Sequence, residues 1–193
     1  MSRRFVASVL SIGLGLGAAF GIAGSASAAE SPGSGFVFAH GTFDEYHPGR
    51  TASTYDPALV PVGSKAKVFG VAPPSGGTKV GLAVRGLVPE REYGAHVHTN
   101  SCGETGDAAG PHFQNVPDPV QPSTDPAYAN PENEVWLDFT TDKHGTGFAK
   151  SRVDWQVGDR SAKSVVIHEE HTHTAPGEAG QAGARLACIN VDF

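Results

Sequence analysis

From residue 64 to residue 191, apolar side chains recur at every second position in short runs broken by Gly- and Pro-rich turns. Thr78–Leu87 puts Val80, Leu82 and Val84 on one face and Lys79 and Arg85 on the other. Successive side chains of a strand point to opposite faces, so this is the pattern of a half-buried strand. Pro73-Pro74-Ser75-Gly76-Gly77 predicts a hairpin link back to Lys65–Ala72. Val88-Pro89-Glu90-Arg91-Glu92 and Asp142-Lys143-His144-Gly145 predict two further turns. Strands are expected at Tyr93–His98, Val135–Thr141, Thr146–Trp155, Ser164–His168 and Arg185–Val191. The sequence holds no amphipathic helical period and no internal repeat. Short strands with frequent turns imply an all-β sandwich or barrel.

The two flanks of this pattern differ from it. Arg3 and Arg4 precede an apolar stretch, Val6 to Ala23, and Ala26-Ser27-Ala28 then supplies small residues suited to cleavage. Residues 1–28 therefore predict an export signal peptide, with Ala29 as the first mature residue. A membrane anchor is the alternative, and the Gly-rich core with cleavage residues directly behind it argues against that. Phe5 follows Ser2-Arg3-Arg4 without the spacer of a twin-arginine signal, which favours general secretion. Residues 29–63 are punctuated by Pro32, Gly33, Gly35, Pro48, Gly49 and Pro57, and are expected as a partly irregular extension with a short strand at Phe36–Ala39. Residues 64–193 are expected as the domain. Within it, residues 110–134 read as a long loop carrying six prolines, and a loop of that length in a compact domain is usually functional.

Setting aside Arg3 and Arg4 leaves 12 Lys and Arg against 20 Asp and Glu, a formal charge of −8. There is no run of basic residues, so nucleic acid is not an expected partner. No second apolar stretch is long enough to span a membrane in the mature form. Cys102 and Cys188 are the only cysteines. In an exported protein an even count suggests one disulfide, two unpaired buried thiols being the alternative.

His96-Val97-His98 places two imidazoles on one side of a strand and Val97 on the other. Two neutral imidazoles on one face form half of a metal site, although the pair alone is also compatible with a solvated surface. His112 stands at the mouth of the long loop, and His168 ends the apolar run Val165-Val166-Ile167. Each taken singly reads as an ordinary surface or core histidine; the metal site rests on the set.

Four segments together resemble the signature segments of copper–zinc superoxide dismutases. They are Gly94-Ala95-His96-Val97-His98, Ala109-Gly110-Pro111-His112-Phe113, Ser164-Val165-Val166-Ile167-His168 and Gly183-Ala184-Arg185-Leu186-Ala187-Cys188. They stand in the family's order over residues 64–193. The resemblance implies an eight-stranded Greek-key β-barrel with long loops, and dismutation of superoxide as the activity. It implies His96, His98, His112 and His168 as copper ligands, with His112 the imidazole that also faces zinc and exchanges a proton during turnover. It implies Arg185 as the residue that guides and orients superoxide, and Cys102–Cys188 as the disulfide. Export and this chemistry together imply antioxidant defence in a secreted or envelope-associated protein.

The chain also departs from that family. No histidine lies between Phe113 and Lys143, where two zinc ligands are expected; Asp118, Asp125, Glu132 and Glu134 offer only oxygens. Structural zinc prefers nitrogen and sulfur, so a copper-only variant is expected. His171 and His173 are an alternative second site or a solvated loop, and His40, His47 and His144 read as surface residues. Without zinc, His112 needs another partner for its ring, and Glu170, or else Glu169, is expected to supply it. The segment Glu169 to Ala184 holds no Lys or Arg, so electrostatic guidance of superoxide is expected to be weak. Two other readings share the ligands. A copper storage or delivery protein would not need Arg185. A zinc hydratase would use three histidines and keep a water in the fourth position, which His168 fills.

Overall fold

The computed structural model describes residues 35–157, 160 and 162–193. The expected signal peptide at residues 1–28 lies outside the described residues. Among the described residues, no helix is long and apolar enough to cross a membrane. Among the described residues, ten strands, where eight were expected, are arranged as two four-stranded antiparallel sheets and one two-stranded ribbon. The strands are β1 (Gly35–Thr42), β2 (Ala52–Thr54), β3 (Lys65–Ala72), β4 (Thr78–Arg85), β5 (Glu92–Tyr93), β6 (Ala95–His98), β7 (Phe139–Thr140), β8 (Gly147–Val153), β9 (Ser164–His168) and β10 (Arg185–Asn190). One sheet runs β1-β3-β4-β8, the other β2-β10-β9-β6, and β5 pairs with β7. The chain crosses between the main sheets on either side of β2, after β4 and again around β8, as in Greek-key folds.

The period-two pattern is realised directly. Ala66, Val68, Val80, Leu82, Val84, Ala149 and Val153 point inward from the first sheet, and Val97, Val165, Ile167, Leu186 and Ile189 belong to the same core. Burial of each large aliphatic side chain stabilises the fold by about 1.5–3 kcal/mol. Tyr93 is fully buried, and its hydroxyl donates to the Leu59 carbonyl at 2.7 Å, so its polar end is satisfied. The turn before β8 is fixed by Asp142, whose carboxylate accepts the N–H groups of His144 and Thr146. Gly145 follows at φ +70°, where a Cβ would strike the Leu87 carbonyl oxygen.

Three details differ from the sequence expectation. Residues 35–63 do not stand apart from the sheets: β1 pairs with β3 along its full length, and β2 pairs with β10. The Phe36–Ala39 strand is thus only the middle of a longer one. The strand expected at Tyr93–His98 is split at Gly94, where the Glu170 carbonyl approaches so closely that a Cβ would lie 2.5 Å from it. The strand expected at Val135–Thr141 is regular only at Phe139–Thr140. Before that it makes isolated bridges, His96 with Trp136 and Gln114 with Glu134.

Candidate metal centre

Strand β6 carries His96 and His98, and β9, which pairs with it, ends at His168. His112 is brought in by an isolated bridge to His98, with Phe113 N–H donating to the Val97 carbonyl. All four predicted histidines meet: one ring nitrogen from each lies within 4.8 Å of the other three. His96, His98 and His168 are buried, and His112 is partly exposed.

The surrounding hydrogen bonds fix which nitrogen three of the rings present. Thr172 donates its hydroxyl to Asp138 Oδ1 at 2.7 Å, so Thr172 Oγ1 accepts from His96 Nε2–H, also at 2.7 Å. The buried His96 Nδ1 is left with no partner. A carbonyl can only accept, so His98 Nδ1 donates to Gly110 O at 3.0 Å and leaves Nε2 bare. His112 Nδ1 donates to Glu134 Oε2 at 2.8 Å, again leaving Nε2 bare. His98 Nε2 and His168 Nε2 face each other at 3.4 Å. His168 Nδ1 is buried without a partner. Converging imidazole lone pairs, three of them on rings held from the far side, form a site for a cation. An all-nitrogen donor set of this kind fits copper.

Burial acts in the same direction. It holds His96 and His98 well below the usual imidazole pKa, and it lowers His168 to about 3; the neighbouring His112 imidazole adds to each effect. All three are therefore neutral at pH 7, the state in which an imidazole can bind a metal. In the metal-free protein the unfolded chain binds protons near pH 6.5 while these folded rings do not, so their contribution to stability is complete above that pH. It is lost as pH falls below 6.5, for His168 down to about 3, at up to about 1.4 kcal/mol per pH unit for each ring. Urea unfolding of the metal-free protein is expected to show a lower midpoint at pH 5 than at pH 7. Equal midpoints would contradict neutral burial.

An open cleft of about 440 Å³ leads to the centre, lined by His112, His168, Gln114, Gln181 and Arg185 among others. Arg185 begins β10 opposite His168, at a register shift that re-aims its side chain. Its Nη1 donates to the Gly106 carbonyl at 3.0 Å, and Gly106 has no room for a side chain against Arg185. Gly106 belongs to a 3₁₀ turn, Gly106–Ala109, in the segment that Cys102 ties to β10 through a disulfide with Cys188. Closing a loop of 86 residues stabilises by about 4.5 kcal/mol in the chain-entropy model. Replacing both cysteines with serine is expected to lower unfolding free energy by about that amount; a loss under about 1 kcal/mol would contradict the expectation.

Glu170 does not contact His112. Its carboxylate lies 3.4 Å from His173 Nε2 on the surface, and Glu169 accepts from the Ala184 N–H. The chain turns away after His168, so the strand geometry that would aim Glu170 at the centre does not continue. Glu134 takes that position. It is 1 % exposed and also accepts from Trp136 Nε1 at 2.7 Å and Gln114 Nε2 at 2.8 Å. His171 Nε2 meets the Phe139 carbonyl, and His173 sits between Glu170 and Glu178. Among the described residues, the four histidines are the only group of three or more ligating side chains. His40, His47 and His144 are exposed.

Residues 65–191 match the family model described as copper/zinc superoxide dismutase. The chain belongs to that family. A search of curated proteins finds no match. Among solved structures, the fold is similar to a Cu/Zn superoxide dismutase from Brucella abortus, with 19 % identity, 81 % of this chain and 98 % of that one covered, and a TM-score of 0.53. It is also similar to the clock protein EA4, with 18 % identity, 76 % and 98 % covered, and a TM-score of 0.52.

Proposed function

We propose that this chain is an exported, copper-only superoxide dismutase. The observation that carries the reading is the convergence of four imidazole nitrogens whose opposite ring atoms are tied or buried. Copper bound there supplies a one-electron couple, so that one superoxide is oxidised to oxygen and a second, with two protons, is reduced to hydrogen peroxide. The chain's own residues do the rest. Arg185 holds a permanent positive charge and a planar set of donors at the cleft, suited to binding and orienting a small anion. His112 is the ligand placed to exchange a proton at Nε2, because its Nδ1–H is anchored on Glu134. The same anchor supports the absence of zinc: the nitrogen that would face a second metal already has a carboxylate partner. The Cys102–Cys188 disulfide and the leader pattern at residues 1–28 support an extracytoplasmic place.

A copper storage or delivery protein would use the same ligands without Arg185. Superoxide dismutation by the copper-loaded protein, compared with Arg185→Ala, tests the choice. The variant is expected to lose at least about tenfold in rate while keeping its copper. An inactive parent, or a variant as fast as the parent, would favour storage. Among the described residues, Arg185 is the only Lys or Arg lining the cleft, in a chain of strongly negative charge. The rate is therefore expected to change little between low and high ionic strength; a steep fall with added salt would contradict this.

A further inference from the structure

The outer face of the β1-β3-β4-β8 sheet has a composition unlike the rest of the chain. Lys65, Lys67, Lys79, Arg85, Lys150 and Arg152 all point outward from it, and no strand of this sheet holds an Asp or Glu. Half of the 12 Lys and Arg outside the leader thus lie on one face, whose strands hold none of the 20 Asp and Glu. Asp154, just past β8, approaches the group, 3.9 Å from Arg152. The strand register sets like charges directly opposite one another, Lys65 against Arg85 and Lys79 against Arg152. Such pairs destabilise an isolated sheet, and an anionic partner relieves them.

The same face exposes phenylalanines: Phe36 at 69 %, Phe38 at 54 %, Phe148 at 57 % and Phe69 at 38 %. Phe38 and Phe69 are cross-strand neighbours, and Phe69 lies over Gly81 and stacks toward Phe148 with centroids 6.3 Å apart. A phenyl ring has no polar handle, and the outward positions of these strands hold no amide, carboxylate, tyrosine or tryptophan to bind sugar hydroxyls. Pairing with the same face of a second copy would set cations against cations. Apolar rings among Lys and Arg match an anionic lipid interface, where the rings enter the acyl boundary and the cations meet phosphate.

We propose that this sheet face docks the protein onto an anionic phospholipid surface. No residue of this sheet lines the cleft at Arg185, so docking leaves the cleft open to solvent. The proposal is independent of the metal centre.

The test is co-sedimentation of the chain, as recovered from an exporting host, with vesicles of phosphatidylglycerol and phosphatidylcholine in equal parts or of phosphatidylcholine alone. Binding is expected on the anionic vesicles only. It is expected to vanish at about 0.5 M salt, where screening confines charge attraction to a few ångströms. Lys67→Glu with Lys150→Glu is expected to weaken binding at least about twentyfold, and Phe36→Ser with Phe38→Ser about tenfold. Circular dichroism of these surface variants is expected to match the parent. Equal binding to neutral vesicles, or equal binding by parent and variants, overturns the proposal. Tighter retention on heparin, unaffected by the phenylalanine changes, overturns it in favour of a polyanionic chain. A dimer that the variants abolish overturns it in favour of a second copy.

Discussion

Replacing His98 with alanine is expected to abolish copper-dependent dismutation and to weaken copper binding by more than about a hundredfold. Loss of a residue that only orients a ligand typically costs about 10- to 100-fold, and His98 is itself in the donor set. Its Nε2 faces His168 Nε2 at 3.4 Å, so removing it leaves the centre short of one ligand and widens it beside another. The effect on the metal-free fold is expected to be much smaller. There His98 donates to the Gly110 carbonyl and meets His168 Nε2 at a longer 3.4 Å, and losing the first of these costs about 1–3 kcal/mol. The two effects separate cleanly in thermal unfolding with and without copper. The parent gains stability from the metal by mass action, and the variant is expected to gain almost none. A variant stabilised by copper as strongly as the parent would remove His98 from the donor set.

The second large effect is expected at Glu134. Its carboxylate is buried and accepts from His112 Nδ1, Trp136 Nε1 and Gln114 Nε2. Glu134→Ala would leave three donors without their acceptor, each costing about 1–3 kcal/mol, and threatens the fold itself. Glu134→Gln keeps the volume but removes the charge and one acceptor oxygen, so it isolates the role toward His112. This variant is expected to fold, to lose about 10- to 100-fold in copper affinity or turnover, and to alter the pH profile of the rate, because the proton on His112 no longer faces an anion. A pH profile and copper affinity identical to the parent would show that Glu134 only packs. Glu170→Gln, on the exposed loop, is expected to change neither.

Much of this centre is legible in the amino-acid sequence alone. The period-two runs place β3, β4, β8, β9 and β10 to within a few residues, because each strand buries one face and wets the other. The four histidines are legible because they stand in short motifs on or beside those strands. What the sequence hides is held by contacts distant along the chain. Strand β2, three residues long, has no room to display a period and is defined by its pairing with β10. Thr172 sits between two histidines whose chemistry suggests a metal, yet it is Thr172 that bonds His96, with Asp138 behind it. Glu134 reads from sequence as one of several oxygen donors for zinc. The alternation Glu134-Val135-Trp136-Leu137-Asp138 nevertheless puts Glu134, Trp136 and Asp138 on the face away from Val135 and Leu137, which are buried in the core. That face turns toward the histidines, as the Glu134–His112 bond and the Trp136 ring beside His96 show. The carboxylate partner of His112 is therefore within reach of the strand pattern, whereas Glu170 follows only if β9 is extended past the point where it ends.

Electron paramagnetic resonance of the copper-loaded chain, with metal content measured on the same sample, bears most directly on the proposed centre. One copper per chain with a spectrum split by several nitrogens, simplified in His96→Ala or His168→Ala, is the predicted result. A silent sample holding stoichiometric zinc, or a copper signal with oxygen ligands that ignores these substitutions, would contradict it.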